Sequence, residues 1–290
     1  MRLITRVAAL CVGLLVSHQA TAAQLPQRWV SAGGALTDWV VVLGGMEKLV
    51  GVDTTSQYFE PLKALPNIGY QRNLSAEGIL SLRPDILIGT EEMGPPQVIS
   101  QVRSAKVQVE MFSAQPDLPT LEKNVTRLGR LLGAETQTAP LLRSYRKLLA
   151  ALAADVAAMQ SKQKVPDVLL LVGSAGGKLL IAGKDTLGDW MLQRAGGHNL
   201  ATHTGYKPFS MESLAGLDPE VLVFADRVLI GEEAKAALFK ENPILKSTRA
   251  AKAGRVLELD PSLLVGGLGP RLPIGLKNLS AGFYPDQSGQ

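Results

Sequence analysis

"LSAEGILSLRPDILI", Leu74 to Ile88, has a counterpart in the same chain: "FSMESLAGLDPEVLV", Phe209 to Val223, aligns with it without a gap. Ser75 falls on Ser210, Glu77 on Glu212, Ile79 on Leu214, Leu82 on Leu217, Pro84 on Pro219 and Asp85 on Glu220. Each copy reads as a short amphipathic helix, a proline that ends it, and an apolar run suited to a buried strand. Upstream, "GYQR" at Gly69 answers "GYKP" at Gly205 with a one-residue slip. Downstream, "RSAKVQVEMF" from Arg103 echoes "RAAKAGRVLEL" from Arg249. A duplicated helix-proline-strand unit predicts an α/β protein of two similar Rossmann-like lobes.

The surrounding chain supports that class. Short aliphatic runs alternate with segments of helical period, the pattern of parallel strands buried on both faces. The predicted strands are Trp29 to Ser31, Leu49 to Val52, Asp85 to Ile88, Val107 to Phe112, Asp167 to Val172, Val221 to Phe224 and Val256 to Leu259. Between the repeat halves lies one long helical stripe: Leu141, Tyr145, Leu148, Leu149, Leu152, Val156 and Met159. With Thr138 as cap and Pro140 in the first turn, a helix is expected from Thr138 to Lys164, before Pro166. A helix of that length spans two lobes and links them. The expected division is a lobe over residues 24–135, a connecting helix over 136–164 and a second lobe over 165–290.

Residues 1–23 stand apart as an export signal, with Arg2 and Arg6 at the front, an apolar stretch from Val7 to Val16, and Ala20-Thr21-Ala22 as a cleavage site near residue 22 or 23. That stretch is too short to span a bilayer. Cleavage removes Cys11, the only cysteine, as suits a chain sent to an oxidising compartment, most simply the periplasm. About 267 of the 290 residues remain, and the formal charge falls from +4 to +2 without Arg2 and Arg6. No dense basic run survives, so nucleic acid is not an expected partner; a monomer is.

Two α/β lobes leave a cleft, and ligands of open α/β sheets sit outside the carboxyl ends of the strands. The loops entering the two repeated helices become cleft walls, which sets Tyr70 and Tyr206 across from each other with Arg72 and Lys207 beside them. Enzyme signatures are thin: no HExxH, GxxxxGK[ST] or GxSxG occurs. His198 and His203 lack a nearby acidic ligand and make a weak metal pair. Glu91 and Glu92 read as a solvated loop. No catalysis is expected.

The stretch "TTSQYFEPLKALPNIGYQRNLSAEGILSLRPDILIGTEEMGPP", Thr54 to Pro96, resembles the haem-binding periplasmic proteins of bacterial haem ABC importers, as does "AGGHNL...GYKPFSMESLAGLDPEVLVF" in the second half. The second motif is shared in form with helix-linked binding proteins for cobalamin and ferric siderophores, which stay as the alternative ligands. The resemblance implies haem as transported ligand, Tyr70 as the ligand to its iron with Arg72 nearby, and delivery to an inner-membrane ABC permease dimer with its ATPase. It also implies one acidic contact per lobe with that permease, at Glu77 and Glu212.

Elementary chemistry agrees. Ferric iron is a hard ion that favours an oxygen anion, and tyrosinate is an established haem ligand. A free phenol ionises near pH 10, so a cation must hold the anion. Arg72 or Arg227 can supply it, the latter following the strand "VLVFAD", Val221 to Asp226, at the carboxyl end where the cleft is expected, and Lys207 suits the haem propionates. Relatives with a second-lobe histidine contact carry it in the loop that here reads "LVGSAGGKLL", with Ser174. That departure puts a second axial ligand and a second stacked haem in doubt, with Tyr206 and His203 as open substitutes.

Overall fold

The structure is a computed structural model and describes residues 25–173, 179–208, 210–226 and 231–285. The export signal, Ser174, Phe209 and Arg227 lie outside the described residues. In chain order the strands are β1 Trp29–Ala32, β2 Leu49–Val52, β3 Gly69–Tyr70, β4 Asn73–Leu74, β5 Ile86–Thr90, β6 Gln108–Phe112, β7 Asp167–Gly173, β8 Leu179–Ala182, β9 His198–Asn199, β10 Tyr206–Pro208, β11 Val221–Ala225 and β12 Val256–Glu258. The first lobe is built on the sheet β2-β1-β5-β6, parallel throughout, and the second on β10-β8-β7-β11-β12. In the second sheet β7, β11 and β12 run parallel and β9 pairs parallel with β7, whereas β8 joins β7 and β10 joins β8 by antiparallel pairing.

Helices cover both faces of each sheet, which is why the strands read as unbroken apolar runs. In β5, Ile86 and Ile88 enter the core facing the middle of the molecule while Leu87 enters the outer one. In β7, Val168, Leu170 and Val172 face the middle while Leu169 and Leu171 face outward. The period of two along a strand sorts side chains between two cores per lobe.

The repeat is real in the backbone. Ser75 Oγ accepts from Gly78 N at 3.0 Å, and Ser210 Oγ from Ser213 N at 3.1 Å, so both serines cap their helices. Arg83 (φ 47°) and Asp218 (φ 44°) both take the left-handed conformation just before Pro84 and Pro219, where the proline ring bars a right-handed helical turn. The acid after each proline then caps the first strand of its own lobe. Asp85 accepts from the amides of Gln27 and Arg28 at 2.8 and 2.9 Å, and Glu220 from that of Asp167 at 3.0 Å.

The long helix is Glu135–Gln160, 26 residues and so about 39 Å. It starts earlier than expected. Gly133 (φ 72°) closes the preceding helix, Leu118–Leu132, so that only Gly133 and Ala134 separate the two. Glu135 sits in the first turn, where a carboxylate offsets the helix dipole. Thr138 is therefore not the cap; its hydroxyl donates to Glu135 O at 2.8 Å, and Pro140 lies inside the helix. Amides of Lys162 and Gln163 both donate to Met159 O, closing the helix before Lys164. The buried stripe is Thr138, Leu142, Tyr145, Leu149, Leu152 and Val156, so Leu142 replaces Leu141 in it, and Leu148 is 56 % exposed.

A second link between the lobes has no local sequence signature. After β12 the chain crosses back to the first lobe before entering its last helix, Leu272–Phe283. Ala35 N donates to Val265 O at 3.1 Å, Trp39 Nε1 to Leu268 O at 2.8 Å and Tyr145 Oη to Gly269 O at 3.1 Å. Arg271 donates from Nε to Asp38 and from Nη1 to Asp260, each at 2.8 Å, and lies 3.6 Å above the Tyr58 ring. A rod and a strap join the lobes, and one apolar core runs through both.

Candidate functional site

Each wall of the cleft is a loop leaving the carboxyl end of a strand. From the first lobe come Thr54, Thr55, Gln57 and Tyr58 after β2, the β3–β4 hairpin, and Glu92 after β5. From the second come Val172 and Gly173 at the end of β7, Asp226 after β11, and Asp260 to Val265 after β12. Two pockets of about 260 and 250 Å³ lie here, and Tyr70, Pro261 and Val265 line both. Tyr70 stands between the halves of the cleft.

Its position follows from the hairpin. Gly69 (φ 96°) begins the turn, and a Cβ there would sit 2.8 Å from Asn73 O, so the two short strands close only on glycine. Gln71 is buried under the turn, 1 % exposed, while Arg72 points outward. Arg72 Nη2 lies 2.7 Å from Glu92 Oε1. That hydrogen bond, followed by Coulomb attraction to Glu92, Tyr70 and Tyr206, raises the Arg72 pKa above its ordinary value, so a fixed positive charge stands beside Tyr70.

Tyr206 lines the same pocket as Tyr70 from the second lobe, but its hydroxyl is engaged. It accepts from Gly188 N at 3.3 Å, at the start of the helix Leu187–Arg194. Burial pushes the Tyr206 phenol upward, more than its bonds to Gly188 and Thr186 and the charge of Arg72 pull it down. It stays a neutral phenol in the ordinary pH range. The structure therefore brings Tyr70, Arg72 and Tyr206 to one pocket.

Other expected residues fall elsewhere. Lys207 is exposed on the edge strand β10, turned by strand alternation away from the Tyr206 face, and lines neither pocket. Arg227 lies outside the described residues. Glu77 is exposed in the first turn of Ala76–Ser81; Glu212 lies in Met211–Leu217, with its side chain outside the described set. His198 pairs with Asp167 at 2.8 Å and His203 Nε2 is 3.2 Å from Ile181 O, away from each other's partners. Among the described residues no group of three or more His, Cys, Asp or Glu could hold a metal ion.

Sequence reasoning missed Tyr58, Glu92 and the Asp260–Val265 strap. Glu91 and Glu92 are exposed as expected, but both carboxylates are occupied: Glu91 accepts from Ala114 N at 3.0 Å and Glu92 holds Arg72. The signal that could have found these residues is positional, since each follows the carboxyl end of a strand that the sequence does predict.

A two-lobed α/β scaffold with a long helical link and a cleft at the strand ends fits a binding protein, and a sequence profile of the periplasmic binding protein family matches residues 30–263. The chain belongs to that family. Its fold is similar to a periplasmic haem-binding protein from Pseudomonas aeruginosa, with a TM-score of 0.88 and 61 % identity over 90 % of this chain and 94 % of the other. The haem-binding protein BhuT in complex with two haems is 35 % identical, with a TM-score of 0.76 over 88 % of this chain and 98 % of its own. A cobalamin-binding protein from Halobacterium salinarum is 25 % identical over 81 % of this chain, which spans 63 % of that protein's length. Among the described residues no helix is long and apolar enough to cross a membrane.

Proposed function

We propose that this chain binds haem in the interlobe cleft of the periplasm and hands it to an inner-membrane ABC permease, performing no chemistry on it. The observation that carries the reading is the placement of Tyr70. Its ring forms a wall shared by both halves of the cleft, with a lasting positive charge on Arg72 beside it. A phenolate at Tyr70 suits ferric iron, and Arg72 offsets the cost of the anion. Val172, Leu180, Leu264 and Val265 give the second pocket an aliphatic wall for a porphyrin, and Tyr206 adds an aromatic surface there. The two solved haem-binding relatives support the same ligand, at higher identity than the cobalamin-binding one.

Titration of the mature protein with hemin tests this. A saturable Soret shift is expected; thermal stabilisation by cobalamin with no Soret shift would replace haem by the corrinoid.

Delivery is assigned to Glu77 and Glu212, one on the repeated helix of each lobe. Charges at an exposed rim chiefly tune association and its salt dependence. Glu77→Lys with Glu212→Lys should load haem normally yet lose stimulation of the permease ATPase in reconstituted vesicles. Full stimulation by the double variant would reduce both residues to compensators of helix dipoles.

A further inference from the structure

A haem ligand brings negative charge into the cleft, in its propionates and in the phenolate it recruits, yet the chain has already placed a carboxylate there. Glu92 lines the second pocket. One of its oxygens is 2.7 Å from Arg72, and the other is 3.4 Å from Nε2 of Gln71. The Gln71 amide is buried, and its Oε1 has no hydrogen-bond partner. The local backbone fixes this arrangement. Gly94 N donates to Gln71 O and Leu74 N to Gly94 O, both at 2.9 Å, so the Glu92 loop is stitched to both sides of the Tyr70 hairpin. On its other flank Glu91 is tied to Ala114 N, and Met93 is buried against Gly89, where a Cβ would come within 2.4 Å of its sulfur. A carboxylate held this firmly beside an anion-binding cation calls for a role.

Resting on the haem reading, we propose that Glu92 is the resident anion of the site: it pairs with Arg72 while the cleft is empty and yields Arg72 to the ligand on binding. Two anions then compete for one guanidinium. The filled site keeps Glu92 as a nearby like charge, which weakens retention and favours release. Glu92 is a positioning residue, acting through Arg72 rather than on the iron. An uncharged macrocycle would leave the Arg72–Glu92 pair in place and would not meet this competition.

The test is the rate at which hemin leaves the loaded protein for excess apomyoglobin. Glu92→Gln keeps the side-chain shape and removes the charge. Since an exposed charge pair is worth a few tenths to about 1 kcal/mol, loss should slow about two- to fivefold. Glu92→Asp should restore a rate near that of the wild type, and rising salt should narrow the gap between Glu92→Gln and the wild type. With hemin dimethyl ester, which lacks the propionate charges, the Glu92→Gln effect should shrink. Loss that is unchanged or faster in Glu92→Gln, with folding confirmed by circular dichroism and a wild-type Soret band, would overturn the proposal. Failure of the wild type to take up hemin would instead overturn the haem reading itself, before any Glu92 variant is measured.

Discussion

Gly69-Tyr70 and Gly205-Tyr206 begin from the same dipeptide at related places in a repeat, both with glycine at positive φ, 96° and 81°, and they end differently. In the first lobe the strand β3 pairs only with β4, in a hairpin outside the main sheet. In the second, the strand β10 joins the main sheet, pairing with β8 through Tyr206 and Ala182. The separate hairpin carries Tyr70 into the cleft beside Arg72, whereas the sheet edge turns the Tyr206 hydroxyl back to its own lobe, onto Gly188. The residues after each tyrosine account for the split: "QRN" turns into a hairpin, while Pro208 removes an amide at the edge of a sheet. Duplication preserves backbone form, and the residues beside it decide which copy turns its hydroxyl back to its own lobe.

The sharpest way to break this contrast is to remove each hydroxyl alone. Tyr70→Phe should weaken hemin binding by about 100-fold or more, beyond the roughly 10- to 100-fold typical when a metal ligand loses its hydrogen-bond partner, and should abolish the phenolate-to-iron band. Tyr206→Phe removes a neutral phenol bonded to Gly188 and should change affinity by less than about tenfold, leaving that band in place. Equal losses, or a larger one from Tyr206→Phe, would reverse the roles assigned to the two copies. Titrations followed by absorbance distinguish the cases.

A second contrast sets rod against strap. The helix Glu135–Gln160 was legible because its stripe repeats at helical period over many turns; its start was not, because the left-handed Gly133 that closes the preceding helix fixes that boundary. All seven predicted strands are present because apolar runs of that length have few other ways to be buried. The strands β8 and β10, antiparallel additions to the second sheet, escaped because they are short and only partly buried. The strap escaped for a different reason. Its bonds reach across the chain, from Trp39 to Leu268 and from Asp38 to Arg271, and no local pattern announces a partner more than 200 positions away. Tyr70 and Arg72 were legible because one turn holds both; Glu92 was not, because only the fold brings its loop to that turn.

The strap carries a pH signature. Burial pushes the Asp38 carboxyl up to about 6, outweighing the attraction of Arg271. An acid whose folded pKa lies above its unfolded one stabilises the fold when protonated, and that contribution fades as pH rises from about 4 through 6. The amount is on the order of 2–3 kcal/mol. Asp38→Asn should therefore flatten the dependence of melting temperature on pH across that window relative to the wild type. An unchanged slope would mean that Asp38 stays ionised throughout. Rod and strap together also limit lobe motion, so small-angle scattering should give the same radius of gyration with and without hemin; a clear contraction on loading would show the strap yielding.

The smallest contrast returns to the repeat itself. Ser75 and Ser210 cap equivalent helices with nearly equal bonds, 3.0 and 3.1 Å, and a serine cap is worth about 1 kcal/mol. If the repeat is equivalent in energy as well as form, Ser75→Ala and Ser210→Ala should each cost about 1 kcal/mol in urea unfolding and add when combined, since caps in separate lobes share no partners. The helices then differ in what lies beyond the cap. Ser75 N donates to Ile68 O, joining the first helix to the segment just ahead of Tyr70. Loss of the Ser75 cap should therefore loosen the hairpin and speed hemin release slightly, while loss of the Ser210 cap should not. If both variants released hemin at the wild-type rate despite equal destabilisation, the Tyr70 hairpin would owe its position to the Glu92 loop alone.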